Sequence, residues 1–295
     1  MNHAMPAAEV EVDTSLVRAL LTEQHPDLAD RPVDLVGQGW DNFMFRLGAD
    51  LSVRIPRRAL AAPLILHEQQ WLPVLAPRLP LAVPTPKRRG GPGCGYPWSW
   101  SVCPWIEGDI VADVELRDTR AAAQVLGEFV RALAVDAPPD APVNTYRGVP
   151  LEDRHAATVA RIEQLTGQID APAVRAVWDE LCARPRWRGN PRWLHGDLYP
   201  ANILAVDGAI SAVIDFGDIT SGDPATDLAG GWMLFSGRDL DAFREAAGGC
   251  DDDTWARARG WALVHGLACL GSSADNPKIE RIGRRTLAAV LAAGA

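Results

Sequence analysis

The sequence predicts an α+β fold in two lobes, a small antiparallel sheet followed by a mainly helical lobe, and three observations carry that expectation. Up to about residue 103, short β-like runs alternate with glycine turns. From about residue 109 onward, helix-compatible stretches replace them. Within that second part an Asp207-Gly208 pair stands between two apolar runs, the strongest short hairpin signal available. A chain of 295 residues suits two lobes, and 47% apolar with 23% charged residues provides a core and excludes a disordered chain.

The first element is a helix over Asp13–His25, capped by Asp13 or Thr14, striped by Leu16, Val17, Leu20 and Leu21, and ended by Pro26. Val33–Val36, Phe43–Leu47 and Leu51–Ile55 follow as an antiparallel meander, divided by Gly37-Gln38-Gly39 and Gly48-Ala49-Asp50. A helix spans about Ala59–Leu75, its ends blurred by Pro63 and Pro73. Strands near Val83–Arg88 and Tyr96–Val102 complete five, and the glycine-rich residues 90–95 between them form a turn. Helices are then expected near 118–135, 151–168 and 172–183. The hairpin pairs Asn202–Val206 with Ala209–Ile214, and helices near 225–235, 239–247, 253–270 and 276–293 finish the chain.

Charge narrows the function classes. The net charge is −9, which disfavours nucleic acid as a partner, because neutralising phosphates takes a basic surface. Residues 1–106 carry 10 basic and 10 acidic side chains and residues 107–295 carry 19 and 28, so the acidic excess lies in the second lobe. Two readings stand: a solvated acidic surface, or attraction of a cationic ligand. The five cysteines form no C-x-x-C pair and are odd in number, so neither zinc nor a disulfide framework is signalled, and a cytoplasmic setting is expected. No apolar run is long enough for a membrane span, and the N-terminus shows no basic region followed by an apolar stretch. Oligomeric state is not legible.

The chemistry concentrates in His195-Gly196-Asp197-Leu198-Tyr199-Pro200-Ala201-Asn202 and in Asp215-Phe216-Gly217 after the hairpin. The hairpin sends the chain out and back, which brings Asn202 and Asp215 side by side. One charged and one neutral oxygen donor suit Mg²⁺, which takes few protein ligands and keeps phosphate oxygens and water. Asp197 then faces that site as a carboxylate able to orient an acceptor hydroxyl and take its proton.

Through the spacing D-x-x-x-x-N, the hairpin and Ile214-Asp215-Phe216-Gly217-Asp218, the chain resembles the aminoglycoside phosphotransferase family, and through Arg54-Ile55-Pro56-Arg57-Arg58 its macrolide phosphotransferase branch. The resemblance implies a protein-kinase-like fold, with an N-lobe over 1–103, a hinge at 104–108 and a C-lobe over 109–295. It implies Asp197 as catalytic base, Asn202 and Asp215 as magnesium ligands, and His195 as a brace of the loop. Asp223 and Asp227 read as helix-capping or loop-fixing carboxylates. Gly37, Gly39 and Asn42 belong either to an ordinary hairpin turn or to a phosphate-covering loop; beside the downstream motifs the second is favoured. The family's third-strand lysine is missing, since the two lysines are Lys87 and Lys278, so Arg54 takes its place with Glu68 as partner. At the hinge the Pro104 carbonyl and the Ile106 N–H would read the purine edge. Trp98, Trp100 and Trp105 either line that base or fill a core.

The expected reaction is Mg²⁺-dependent transfer of the γ-phosphoryl group of ATP or GTP to a hydroxyl on a small, cationic acceptor, an aminoglycoside or macrolide antibiotic, with Tyr199, Asp218 and Trp232 as acceptor-side candidates. Gly217 to Ala225 is too short a segment to present a protein substrate. A metabolic kinase acting on choline, homoserine or a sugar is the alternative, and a catalytically idle nucleotide-binding module is another.

Overall fold

The computed structural model describes residues 6–273 and 276–293. The extreme ends of the two expected lobes lie outside the described residues. The chain forms two compact units, the first from the segment up to Pro77 together with Ala82–Glu107, the second from Arg78–Leu81 together with the chain from Gly108 onward.

In the first unit, α1 (Thr14–Gln24) starts where the Asp13 carboxylate accepts the Leu16 N–H, and it buries Val17, Leu20 and Leu21. Strands β1 (Val33–Gln38), β2 (Asn42–Leu47), β3 (Leu51–Pro56), β4 (Arg88–Gly90) and β5 (Trp100–Pro104) form one antiparallel sheet in the order β1-β2-β3-β5-β4. Phe45, Leu47, Val53, Ile55 and Val102 pack with α1 into its core. The fourth strand departs from expectation. Pro84 and Pro86 cannot donate ladder hydrogen bonds, so Val83–Arg88 is not a strand and pairing begins at Arg88. The fifth is likewise displaced from Tyr96–Val102 to Trp100–Pro104, with Gly93 and Tyr96 closing the turn through reciprocal backbone hydrogen bonds. Helix α2 (Ala62–Leu75) runs through Pro73, which has no N–H for the Gln69 carbonyl. The Arg89 guanidinium donates to that carbonyl instead.

The second unit is mainly helical, with α3 (Thr119–Leu133), α4 (His155–Gln164), α5 (Ala171–Cys182), α6 (Ala225–Leu234), α7 (Gly237–Ala247), α8 (Asp252–Gly271) and α9 (Pro277–Ala292). Helix α8 is buried along nearly its whole length and α6 and α9 pack on it. Two short sheets interrupt the helices: in one, β6 (Asp109–Ile110) pairs with β8 (Ile203–Val206) and β8 with β9 (Ala209–Val213), and in the other β7 (Arg192–Leu194) pairs with β10 (Thr220–Gly222). The β8–β9 turn takes Asp207 at φ 50 and Gly208 at φ +73, the left-handed pair that a tight hairpin needs. All five cysteines are free of disulfides. Among the described residues no helix is long and apolar enough to cross a membrane.

Candidate active site

Within the second unit the β7–β10 ladder sets the site. Leu194 pairs with Thr220, so the chain leaves β7 directly into His195-Gly196-Asp197 and enters β10 from Phe216-Gly217-Asp218 through Ile219. Gly196 has φ +84, and a Cβ there would collide with the Asp218 carbonyl, so only glycine lets the two segments lie together. The buried Asp227 carboxylate accepts the N–H groups of His195 at 2.6 Å and Gly196 at 2.9 Å. Burial raises the pKa of that carboxyl against the pull of His195 and those N–H groups. Asp227 is therefore a loop-fixing carboxylate; Asp223 caps Ala225 through its backbone N–H and pairs with Arg257 at 2.6 Å.

His195 is fully buried and joins the two motifs. Its Nδ1 accepts the Asp197 N–H at 3.2 Å, which places the ring proton on Nε2, 3.0 Å from the Ile214 carbonyl. The ring packs on Phe216 with centroids 4.5 Å apart. It braces the loop, as the sequence implied.

Asn202 is buried, and its Nδ2 donates to the Asp197 carbonyl at 2.9 Å and to Asp197 Oδ2 at 3.2 Å. Its backbone carbonyl accepts the Ile214 N–H at 2.9 Å, which puts Asp215, the next residue, beside it. The amide oxygen of Asn202 thus faces away from Asp197, and Asp215, exposed and at φ 62, supplies a carboxylate nearby. One amide oxygen and one carboxylate are the donor set that suits magnesium. Among the described residues no group of three or more His, Cys, Asp or Glu side chains is placed to hold a metal ion.

Burial pushes the Asp197 carboxyl up to about 6; Arg147 and Asn202 pull it down while Asp218 and Asp215 push it up. Arg147 was not legible in the sequence, yet its Nη2 lies 2.6 Å from Asp197 Oδ1 and its Nε lies 3.8 Å from Asp218 Oδ2. Asn144 holds the other Asp218 oxygen at 2.7 Å, and His265 Nδ1 on α8 lies 4.0 Å from Asp197 Oδ1. Tyr199 is half-buried, and its phenol pKa is raised by burial and then by Asp197. Trp232 lies half-buried on α6. Asp197, Asn202, Asp215, Asp218 and Tyr199 are thus brought together; among the described residues no hydrogen bond or ring contact links Trp232 to them.

The first unit holds the other candidates. Arg54 on β3 pairs with Glu68 on α2 at 3.1 Å, with 4% and 0% of the two side chains exposed. The Gly37–Asn42 segment closes the β1–β2 turn through the Gly39 N–H and the Asn42 carbonyl at 2.8 Å. Arg57 anchors it from behind, Nη1 to the Gly39 carbonyl at 3.0 Å and N–H to the Asp41 carbonyl at 2.9 Å. A Cβ at Gly37 would meet nothing within 4 Å, so the glycine leaves open space over the turn. On β5 the Val102 carbonyl accepts the Lys87 N–H at 2.7 Å and the Trp105 N–H donates to Asp50 at 2.8 Å. Because backbone groups alternate along a strand, the Pro104 carbonyl at the end of β5 faces the same edge as the Val102 carbonyl, beyond the start of β4 at Arg88, and Ile106 lies two residues past the strand. Trp100 fills the core and Trp98 packs on it, while Arg46 stacks over Trp105 at 4.1 Å.

Residues 33–261 match the model for the Phosphotransferase enzyme family. No curated protein sequence matches the chain. Among solved structures the chain is similar to the GDP complex of wild-type aminoglycoside 2'-phosphotransferase-IIIa, at 20% identity and TM-score 0.70, covering 97% of this chain and 100% of that one. It is similar to a GDP and kanamycin complex of the 2" enzyme class, at 20% identity and TM-score 0.68 over 92% and 96%. It is also similar to a macrolide 2'-phosphotransferase from Brachybacterium faecium, at 24% identity and TM-score 0.60 over 93% and 97%. These likenesses bear out the kinase-like α+β fold.

Proposed function

We propose, from the premise that the chain belongs to the phosphotransferase enzyme family, that it transfers the γ-phosphoryl group of ATP or GTP to a hydroxyl of a small cationic antibiotic, an aminoglycoside or a macrolide. The observation that carries this reading is the clamp on Asp197: the Asn202 amide holds one carboxylate oxygen at 3.2 Å and Asp215 follows the residue bonded to Asn202. A carboxylate so held can align an acceptor hydroxyl and take its proton as the new P–O bond forms, with no covalent enzyme intermediate. Asn202 and Asp215 would hold magnesium, which when bound would offset the negative charge of the phosphates. In the first unit Arg54, fixed by Glu68, would anchor the phosphates, Gly37, Gly39 and Asn42 would present backbone N–H groups to them, and the Pro104 carbonyl and Ile106 N–H would read the base. Residues 1–103, 104–108 and 109–295 would then serve as nucleotide lobe, hinge and catalytic lobe.

The acidic surplus of residues 107–295 favours a cationic acceptor. Between Asp215 and α6 the chain is used up by a single 3-10 turn and β10, which favours small acceptors over polypeptides. Kanamycin is bound by one structural relative, and another is a macrolide enzyme. The test is acceptor phosphorylation with ATP and GTP separately, over kanamycin, a macrolide, choline and homoserine. Asp197→Ala is expected to lower kcat by about 10²–10⁴-fold. Equal, negligible turnover by wild type and variant over the whole panel overturns the reading, and turnover of choline or homoserine alone replaces it with a metabolic kinase.

A further inference from the structure

Arg147 reaches Asp197 from a loop whose own construction is unusually fixed. The Pro142 carbonyl accepts the Ser221 N–H at 3.0 Å and the Thr220 hydroxyl at 3.0 Å, the Asn144 N–H donates to Thr220 Oγ1 at 2.9 Å, and the Gly148 carbonyl accepts the Asp223 N–H at 3.0 Å. These bonds tie both ends of the irregular segment 142–148 to β10 and to the residue after it. Near the segment's end the Arg147 guanidinium, 20% exposed, spans two carboxylates, Asp197 at 2.6 Å and Asp218 at 3.8 Å, while Asn144 fixes Asp218 from the far side at 2.7 Å. The same flank is basic: Arg154 stacks on Tyr146 at 5.3 Å, and burial together with the Arg147 charge lowers the Arg154 pKa.

An acceptor whose hydroxyl reaches Asp197 brings its own charged groups within a few ångströms of that carboxylate. Ammonium groups on such an acceptor compete with Arg147 for Asp197 and Asp218, and each one set near the guanidinium is repelled by it. At an effective dielectric of about 20, unit charges about 4 Å apart interact by several times the thermal energy, enough to discriminate strongly between acceptors of different charge. The acidic surplus of the second unit draws cations in general; Arg147 selects among them locally.

We propose that Arg147 is a specificity-determining residue of the acceptor side, an internal cation that occupies the Asp197–Asp218 pair and favours acceptors with a single positive charge over polycations. The proposal rests on the assignment of Asp197 as the acceptor-facing base. A role confined to stability would lower folding free energy without changing the preference between acceptors.

The test compares wild type, Arg147→Gln and Arg147→Lys by calorimetry at low salt, with kanamycin as the polycation and erythromycin as the single-amine probe, and with thermal unfolding to confirm that each protein is folded. Arg147→Gln is expected to bind kanamycin about tenfold more tightly or better, with erythromycin affinity changed less than about threefold, and Arg147→Lys is expected to keep the wild-type ratio. Kanamycin binding by folded Arg147→Gln that is equal to or weaker than wild type overturns the proposal. So does a loss of discrimination in Arg147→Lys equal to that in the Gln variant. If wild type phosphorylates neither compound, the assigned reaction fails, and the binding comparison still decides the role of Arg147.

Discussion

Two arginine–carboxylate pairs, one in each unit, have similar chemistry and opposite settings. Arg54–Glu68 is the longer at 3.1 Å, yet its side chains are 4% and 0% exposed. Arg147–Asp197 is shorter at 2.6 Å, with 20% and 26% exposed. In the first, both side chains are almost wholly withdrawn from solvent, so each charge depends on neighbouring groups rather than on water. In the second, solvent and a ligand can compete for each partner. Burial, more than separation, therefore distinguishes a pair that frames a site from one that can exchange partners.

That contrast is open to direct attack. The largest expected effect is from Glu68→Ala, which leaves the Arg54 charge buried and should cost about 3–5 kcal/mol in urea unfolding. A loss below about 1 kcal/mol would remove Arg54–Glu68 from the class of fixed pairs. Asp223→Ala breaks another closely buried pair, Arg257–Asp223 at 2.6 Å with 4% and 3% exposed, and should cost a comparable amount; a much smaller loss would mean that burial alone does not decide. Gly196→Ala tests the frame beneath the open pair. Its positive φ and the collision with the Asp218 carbonyl predict a loss of about 1–3 kcal/mol in stability, together with reduced phosphoryl transfer. The smallest effect belongs to Arg175→Ala, where an exposed pair one helical turn apart, 42% and 49% exposed, should cost about 0.3–0.5 kcal/mol. An effect as large as that of Glu68→Ala would invert the ranking.

Much of this site was legible because its signals are local. The Asp207-Gly208 turn, the five-residue interval from Asp197 to Asn202 and the alternation around Arg54 each follow from short-range geometry, and the structure places them as that geometry requires. Glu68 was legible only through the resemblance, which implies a helix carboxylate as partner for a third-strand cation. The expected fourth strand near Val83–Arg88 failed at Pro84 and Pro86, which cannot donate ladder hydrogen bonds, so pairing starts only at Arg88. Strands β7 and β10 are three residues each, too short for a period to show. Arg147 and Asn144 sit in a loop without periodicity, and their importance comes from contacts about 50 and 74 residues away, which no sequence pattern records.

At Gly148 and Gly222 the segment 142–148 and β10 meet backbone to backbone. Gly148 stands at φ +70, and a Cβ on Gly222 would run into the Gly148 carbonyl. One added methyl at residue 222 would wedge the two strips apart and carry the guanidinium at 147 with them. Choice of acceptor is thus exposed to change at a position that meets no ligand, and a survey limited to pocket-lining residues would overlook it.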